Sequence, residues 1–241
     1  MLKLVQVEAK LFLREGASVV FALLFPTVLL LVLGAIPALR TPDPLFGGLR
    51  FIDGYAGTLV VITLAFLGLQ RVPTALATYR ERGVLRRLGT TPLHPGKLLA
   101  AQLLVNLAAA VVSVVLVVAV GKLVFGIDLP HHLVGFTVAI LLGAASLFAF
   151  GLVIAALAST AKSAAGWATV AFMLIMFFGG AYLPRFLLPD VINTVGQYLP
   201  PGVAALQDSW VGTAPSPLHL AVMAVIALFA GTVAARTFRW E

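Results

Sequence analysis

Any chemistry in this chain falls to few side chains, because it holds nine acidic residues, four histidines and no cysteine. A nucleotide-cradling loop needs glycine amides ahead of a Lys and a hydroxyl, yet Gly96-Lys97 and Gly121-Lys122 are each followed by leucine. His94, His131, His132 and His219 fall at loops or span ends with no carboxylate at zinc-ligand spacing. They read as interfacial histidines, no metal site is expected, and no acid-base or nucleophilic constellation emerges. The dense polar feature is instead the stretch from Arg71 to Lys97, RVPTALATYRERGVLRRLGTTPLHPGK. Pro73 and Thr74 are start signals, Arg86 and Arg87 suit the negative end of a helix dipole, and Gly89 and Pro92 stop it. These signals predict a helix over 73–89. On it Leu76, Tyr79, Leu85 and Leu88 fall loosely to one side while Arg80, Arg82, Arg86 and Arg87 spread over the rest. An apolar seat with a cationic rim is built to dock on something.

What must position this segment follows from composition. The chain has 241 residues, 61% of them hydrophobic and 10% charged, and a mean hydropathy of +1.08. A water-soluble domain cannot enclose so many apolar residues behind so few charges. The apolar runs are continuous rather than alternating with period two, so the expected fold is an all-α membrane protein crossed by helices, not a barrel. Spans are expected at about 17–39, 51–69, 98–125, 133–157, 164–183 and 218–235. Residues 1–16, with Lys3, Lys10 and Arg14 among Leu2, Val5, Leu11 and Phe12, suit an interfacial helix. The run that follows them is too long for a signal peptide and is read as a retained first span. Residues 184–212 are apolar but interrupted by Pro189, Asp190 and Gly196, which predicts a short re-entrant or interfacial helical pair ended by Pro200-Pro201-Gly202.

Six spans put both termini on one side, and the cations test the count. With the termini and the second and fourth loops in the cytoplasm, only Arg40, Arg50, Lys122 and Arg185 lie outside. The formal net charge of +7 is then a matter of topology and calls for no nucleic acid. In the fourth span Gly135, Ala139, Gly143, Gly151, Ala155 and Ser159 leave one ridge nearly bare, so a neighbouring helix can approach closely. Deep within the expected spans there is no Asp, Glu, Lys or Arg; Gln102 and Asn106 are the strongest polar groups. An ion-coupled carrier usually needs an intramembrane ionisable group, so the energy for transport is expected from elsewhere.

Arg80-Glu81-Arg82-Gly83-Val84-Leu85-Arg86-Arg87-Leu88, followed by Thr90-Thr91-Pro92-Leu93, resembles the E-(K/R)-G-x-L-(K/R)-x-L and T-P-L motifs of ABC exporter permeases of the type-2 class. In particular it is similar to short drug-export permeases of the daunorubicin-resistance type. Gly180-Ala181-Tyr182-Leu183-Pro184, with Leu188-Pro189 and Tyr198-Leu199-Pro200, is similar to the family's outer gate after the fifth span. The C-terminal Arg236 to Glu241 is a further, looser match. The resemblance covers essentially the whole chain. It implies a coupling helix seated in a cleft of a separate ATPase subunit, with Arg80, Glu81, Arg82, Gly83, Leu85, Arg86, Arg87, Leu88, Thr91 and Pro92 as the coupling residues.

Two permeases, identical or paralogous, and two ATPase subunits would form the transporter. ATP and Mg would be held by the ATPase, with no cofactor on this chain, in the bacterial cytoplasmic membrane. In this picture Leu85 and Leu88 fill the cleft, the arginines meet acidic rims or lipid phosphates, and Glu81 pairs with a cation on the ATPase or the N-terminal helix. The other reading is a basic run that only fixes orientation and touches headgroups; the order of the two motif elements favours docking. Tyr55, Thr58, Thr63, Phe172, Met173, Met176, Phe177 and Tyr182 are the candidates for a substrate path without fixed charge, suited to an amphipathic drug, natural product or lipid-like cargo. Gly180, Pro184, Pro189 and Pro200 are the outer-gate candidates. A haem-export permease of cytochrome c maturation, a lipid-modifying enzyme and a nucleotide-independent bundle remain as alternatives.

Overall fold

The computed structural model describes residues 1–44, 48–89, 95–178, 180–182 and 188–237. Among them the chain is helical apart from its connections, and the only β pairing is an isolated bridge between Pro42 and Arg50. Helix α1 covers Leu2–Arg14, α2 Gly16–Ala35 and α3 Phe51–Glu81. A short α4, Val84–Gly89, precedes α5, Pro95–Phe125. Then come α6, Leu133–Leu157, α7, Ala161–Phe178, α8, Asp190–Tyr198, α9, Val203–Val211, and α10, Pro217–Thr237. Among the described residues six helices, α2, α3, α5, α6, α7 and α10, are long and apolar enough to cross a membrane.

The second of these differs from its sequence-based bounds. A helix was expected to stop near Leu69 and a separate one to begin at Pro73, whereas α3 runs unbroken from Phe51 to Glu81. The cause is a wide π-helical stretch, Phe66–Arg71, immediately before Pro73. Proline has no N–H for the carbonyl one turn back, and an extra residue in the preceding turn lets the helix continue around the missing bond. The same device recurs in α2, where the π-helical stretch Val20–Leu24 precedes Pro26. With 31 residues each, α3 and α5 are about 46 Å long, well beyond a hydrocarbon core of about 30 Å.

Helix α3 is the centre of the bundle. From Ala56 to Ala65 every residue is buried, as expected of a helix that is apolar all round, and α2, α5, α6, α7 and α9 all pack on it. Its closest neighbour is α6, whose small-residue ridge is buried from Gly135 to Ala155. A Cβ built on Gly151 would overlap the Gly68 carbonyl, and one on Gly68 would lie 2.7 Å from Leu147 Cβ. Backbone therefore touches backbone at this crossing. Two other ridge glycines meet loops, Gly143 facing the Pro201 carbonyl and Gly135 the Pro215 ring.

The connections sort to two ends. Arg50 Nη1 donates to the Phe125 carbonyl at 2.9 Å, and the His131 and His132 amides donate to the Trp210 and Ser209 carbonyls. The start of α3, the end of α5, the start of α6 and the end of α9 thus share one end. At the other end Arg71 approaches Glu15, and Glu81 meets the first residue of α7. That end carries Lys3, Lys10, Arg14, Arg71, Arg80, Arg82, Arg86, Arg87, Lys97, Lys162 and Arg236.

Candidate functional site

The foot of α3 at the basic end is built from consecutive residues with different duties. Arg80 donates from Nη2 to the Ala158 carbonyl, and Glu81 Oε1 accepts the Ala161 amide at 2.7 Å. A carboxylate on the first amide of α7 suits the positive end of that helix. Glu81 is therefore engaged with the connection between α6 and α7. Within the chain its partner is thus a backbone amide and not a cation of α1. Gly83 then reverses the chain at φ +67°, a conformation costly for any residue with a Cβ. Helix α4 folds back against α3 and α5.

That reversal overturns one expectation. Leu85 was expected to fill a cleft in another subunit, but it is 2% exposed within its own chain, because the folded-back α4 turns it onto the helices behind it. Leu88 is half-buried, while Arg82, Arg86 and Arg87 are exposed. The outward surface of the foot is thus cationic and not apolar. Thr91 and Pro92 lie outside the described residues.

Behind the foot is a polar cluster that sequence reasoning missed. Arg71, read as the start of the basic stretch between the second and third spans, is 5% exposed inside α3. Its guanidinium lies 4.6 Å from the centre of the Phe12 ring, its Nη1 donates to Asn106 Oδ1 at 2.9 Å, and its Nε is 3.6 Å from Glu15 Oε2. One face of α1 completes the cluster, with Glu8 and Phe12 each 3% exposed. The Tyr79 hydroxyl donates to Glu8 at 2.9 Å. Burial is the dominant influence on the Glu8 carboxyl and pushes its pKa up, against the opposing pull of the Tyr79 hydrogen bond and the Arg71 charge. Helix α1 was expected to be interfacial, and its Glu8 face is nonetheless enclosed. Gln102 and Asn106, one turn apart on α5, are also buried. The sequence signals were Gln102 and Asn106 within an apolar span and the i, i+4 spacing of Glu8 and Phe12, which says that they share a face and not what they face.

The substrate-path candidates do not converge. Thr58 Oγ1 accepts from Gln207 Nε2 at 2.8 Å, and Thr63 Oγ1 lies 3.1 Å from Ser113 Oγ; both threonines are buried. Met176 is buried in the core and Phe172 packs half-buried against it. Tyr55 is half-buried and its hydroxyl donates to the Ala181 carbonyl at 2.9 Å. Met173, Phe177 and Tyr182 face outward from the chain. Of the outer-gate candidates, Gly180 is buried at φ +70° and Pro189 is the exposed residue ahead of α8. Pro200 is buried ahead of α9, and Pro184 lies outside the described residues. The two described histidines with close partners serve structure: His132 Nδ1 accepts the Gly135 amide at the start of α6, and the His219 ring stands edge-on to Tyr198.

Comparison with known proteins bears on what such a foot does. Residues 2–204 match the family model described as ABC-2 type transporter. The chain is also similar to a Bacillus subtilis protein that carries the name transport permease YvfS. The two are 25% identical over 194 residues, which cover 80% of this chain and 77% of the other.

Proposed function

Because the chain belongs to the ABC-2 type transporter family, and is thereby a multi-pass membrane component of an ABC transporter, we propose that it is the permease subunit of an ATP-driven exporter. It works with two copies of a separate ATPase subunit, which holds ATP and Mg, and with a second permease, identical or paralogous. The basic end faces the cytoplasm, in keeping with the excess of Lys and Arg on cytoplasmic loops. The cargo is a hydrophobic or amphipathic molecule of the drug, natural-product or lipid-like kind. The uncharged outward face of α7, with Met173 and Phe177, supports that reading, since it offers apolar contact without a fixed charge.

The observation that carries the proposal is the continuity of α3. The exposed arginines of α4 are joined through Gly83 to a helix that packs on most of the bundle, so a push on them bears on α3. The foot is also tied sideways by Arg80 to Ala158, by Glu81 to Ala161 and by Tyr79 to Glu8. A displacement there moves α1, α3, α6 and α7 together. Exposed arginines are apt for steering and seating an acidic partner.

The test is the paired change Arg82→Glu and Arg86→Glu, with the complex purified from its native membrane. Both residues are exposed, so the permease should insert and melt as before, while recovery of the ATPase subunit falls about tenfold or more. Vanadate-sensitive export of an amphipathic fluorescent dye should be lost in parallel. Undiminished recovery of the ATPase with the charge-reversed permease refutes the reading. The chain has no cysteine, so Arg86→Cys gives a single site whose labelling by a membrane-impermeant maleimide reports which side the foot occupies.

A further inference from the structure

A second basic feature at the same end shares Arg80 with the foot and adds Arg236. Where α6 and α10 end side by side there is a cavity of about 620 Å³ lined by Arg80, Arg236, Thr237 and residues 156–159. That volume lies within the range of about 300–1,000 Å³ usual for small-molecule sites. We propose that this cavity seats the phosphate of an anionic phospholipid headgroup, drawn from the leaflet at the basic end.

Charge makes the first case. Among the described residues two guanidinium groups and no carboxylate line the cavity. Glu81, next to Arg80 in the chain, is turned to the Ala161 amide. Arg80 commits one donor to the Ala158 carbonyl and keeps the rest of its fork, whereas Arg236 is exposed and has no side-chain partner among the described residues. Ser159 adds an exposed hydroxyl, and Thr237 donates its own to Val233 and so offers only lone pairs. Guanidinium forks match phosphate oxygens in pairs, which favours a phosphate over a single-point anion.

Depth makes the second. The cavity sits at the last turn of a helix long and apolar enough to cross a membrane, where a headgroup lies, and its wall includes Leu157, 72% exposed. Phe229, 70% exposed, is seven residues before Arg236, so it lies two turns down α10 on the same face, about 10 Å toward the membrane interior. A phosphate held between Arg80 and Arg236 therefore has an apolar track beneath it for an acyl chain, which free phosphate cannot use. Basic pockets between membrane helices on the cytoplasmic side are established places for such headgroups. The proposal does not depend on which cargo is carried or on whether the chain exports.

The experiment is lipid retention by the permease alone, purified in detergent and mixed with phosphatidylglycerol or phosphatidylcholine, read by native mass spectrometry. Phosphatidylglycerol should be retained in preference to phosphatidylcholine. Arg236→Gln should lower that retention about fivefold, Arg236→Lys should restore part of it, and Ser159→Glu, which leaves both arginines in place, should abolish the preference. Melting temperatures of the variants should match the parent, since both positions are exposed. Equal retention of the two lipids, or retention unchanged by Arg236→Gln and Ser159→Glu, overturns the proposal. So does displacement of the lipid by millimolar inorganic phosphate, which would mean a site for the free anion.

Discussion

Replacing Arg71 by methionine tests whether the buried cluster at the base of α3 holds α1 in place. The change keeps much of the length of the side chain and removes its charge and donors. Its charge-assisted hydrogen bond to Asn106 at 2.9 Å is worth about 1.5–3 kcal/mol, and its seat over Phe12 at 4.6 Å about 1–2 kcal/mol. The contact with Glu15 adds about 0–1 kcal/mol, because the Glu15 side chain is 53% exposed and the gap is 3.6 Å. Methionine recovers part of the desolvation that arginine suffers, so the net loss should be about 2–4 kcal/mol. Denaturant unfolding in detergent micelles, followed by tryptophan fluorescence, measures it. Since Asn106 is left with an unpartnered carbonyl, the double change Arg71→Met with Asn106→Leu should cost less than the sum of the single changes, with a coupling of about 1.5–3 kcal/mol. In the same variant amide exchange across residues 2–14 should quicken roughly thirtyfold, the factor that corresponds to about 2 kcal/mol of lost protection. Additive single and double changes, or α1 amides that exchange as in the parent, would show that α1 is held by other contacts and refute the reasoning.

The crossing of α3 and α6 predicts that Gly151→Val is severely destabilising, by about 3 kcal/mol or more, since its Cβ has nowhere to go but the Gly68 carbonyl. Gly166→Ala on α7 is the matched control: nothing lies within 4 Å of its Cβ, so it should be neutral or raise the melting temperature slightly, as helical Gly to Ala changes do by about 0.5–1 kcal/mol. For Glu8 the sign follows from burial. Its pKa is raised above 4.5 in the folded chain, so the folded state takes up a proton first. Its contribution is fully present below the unfolded pKa and lost as pH rises through the folded one. Protection of α1 amides should therefore strengthen on acidification through that window, and Glu8→Gln should flatten the dependence; an unchanged pH profile in the Gln variant would exclude Glu8 as its source.

Much of the fold was legible because a bilayer imposes simple rules. Continuous apolar runs of sufficient length have to be helices, and α5, α6 and α10 begin and end within a few residues of where hydropathy and Pro, Asp or Arg place them. The end of α3 was not legible, because Pro73 is a stop signal in sequence and only a widened turn, set by packing, carries the helix past it. The basic segment after α3 was legible as charge but not as orientation. Leu85 and Arg86 are neighbours in sequence, and which one faces outward depends on how the Gly83 reversal lays α4 on the bundle. The small-residue ridge of α6 announced close packing, yet it could not tell that a helix would lie on Gly151 and loops on Gly143 and Gly135.

By itself the sequence determined the solvent, the number of spans, the gathering of cations and the family, since hydropathy, charge count and local motifs are properties of short stretches of chain. The tertiary structure alone decided that Arg71 is interior, that Glu81 is occupied by the start of α7, that Leu85 belongs to the core and that Arg80 and Arg236 flank one cavity. Each of these joins residues far apart in the chain, or sets the direction of a side chain about a helix axis. Such arrangements arise only when whole helices exclude lipid and water from between them, and no local pattern encodes which partner each face will meet.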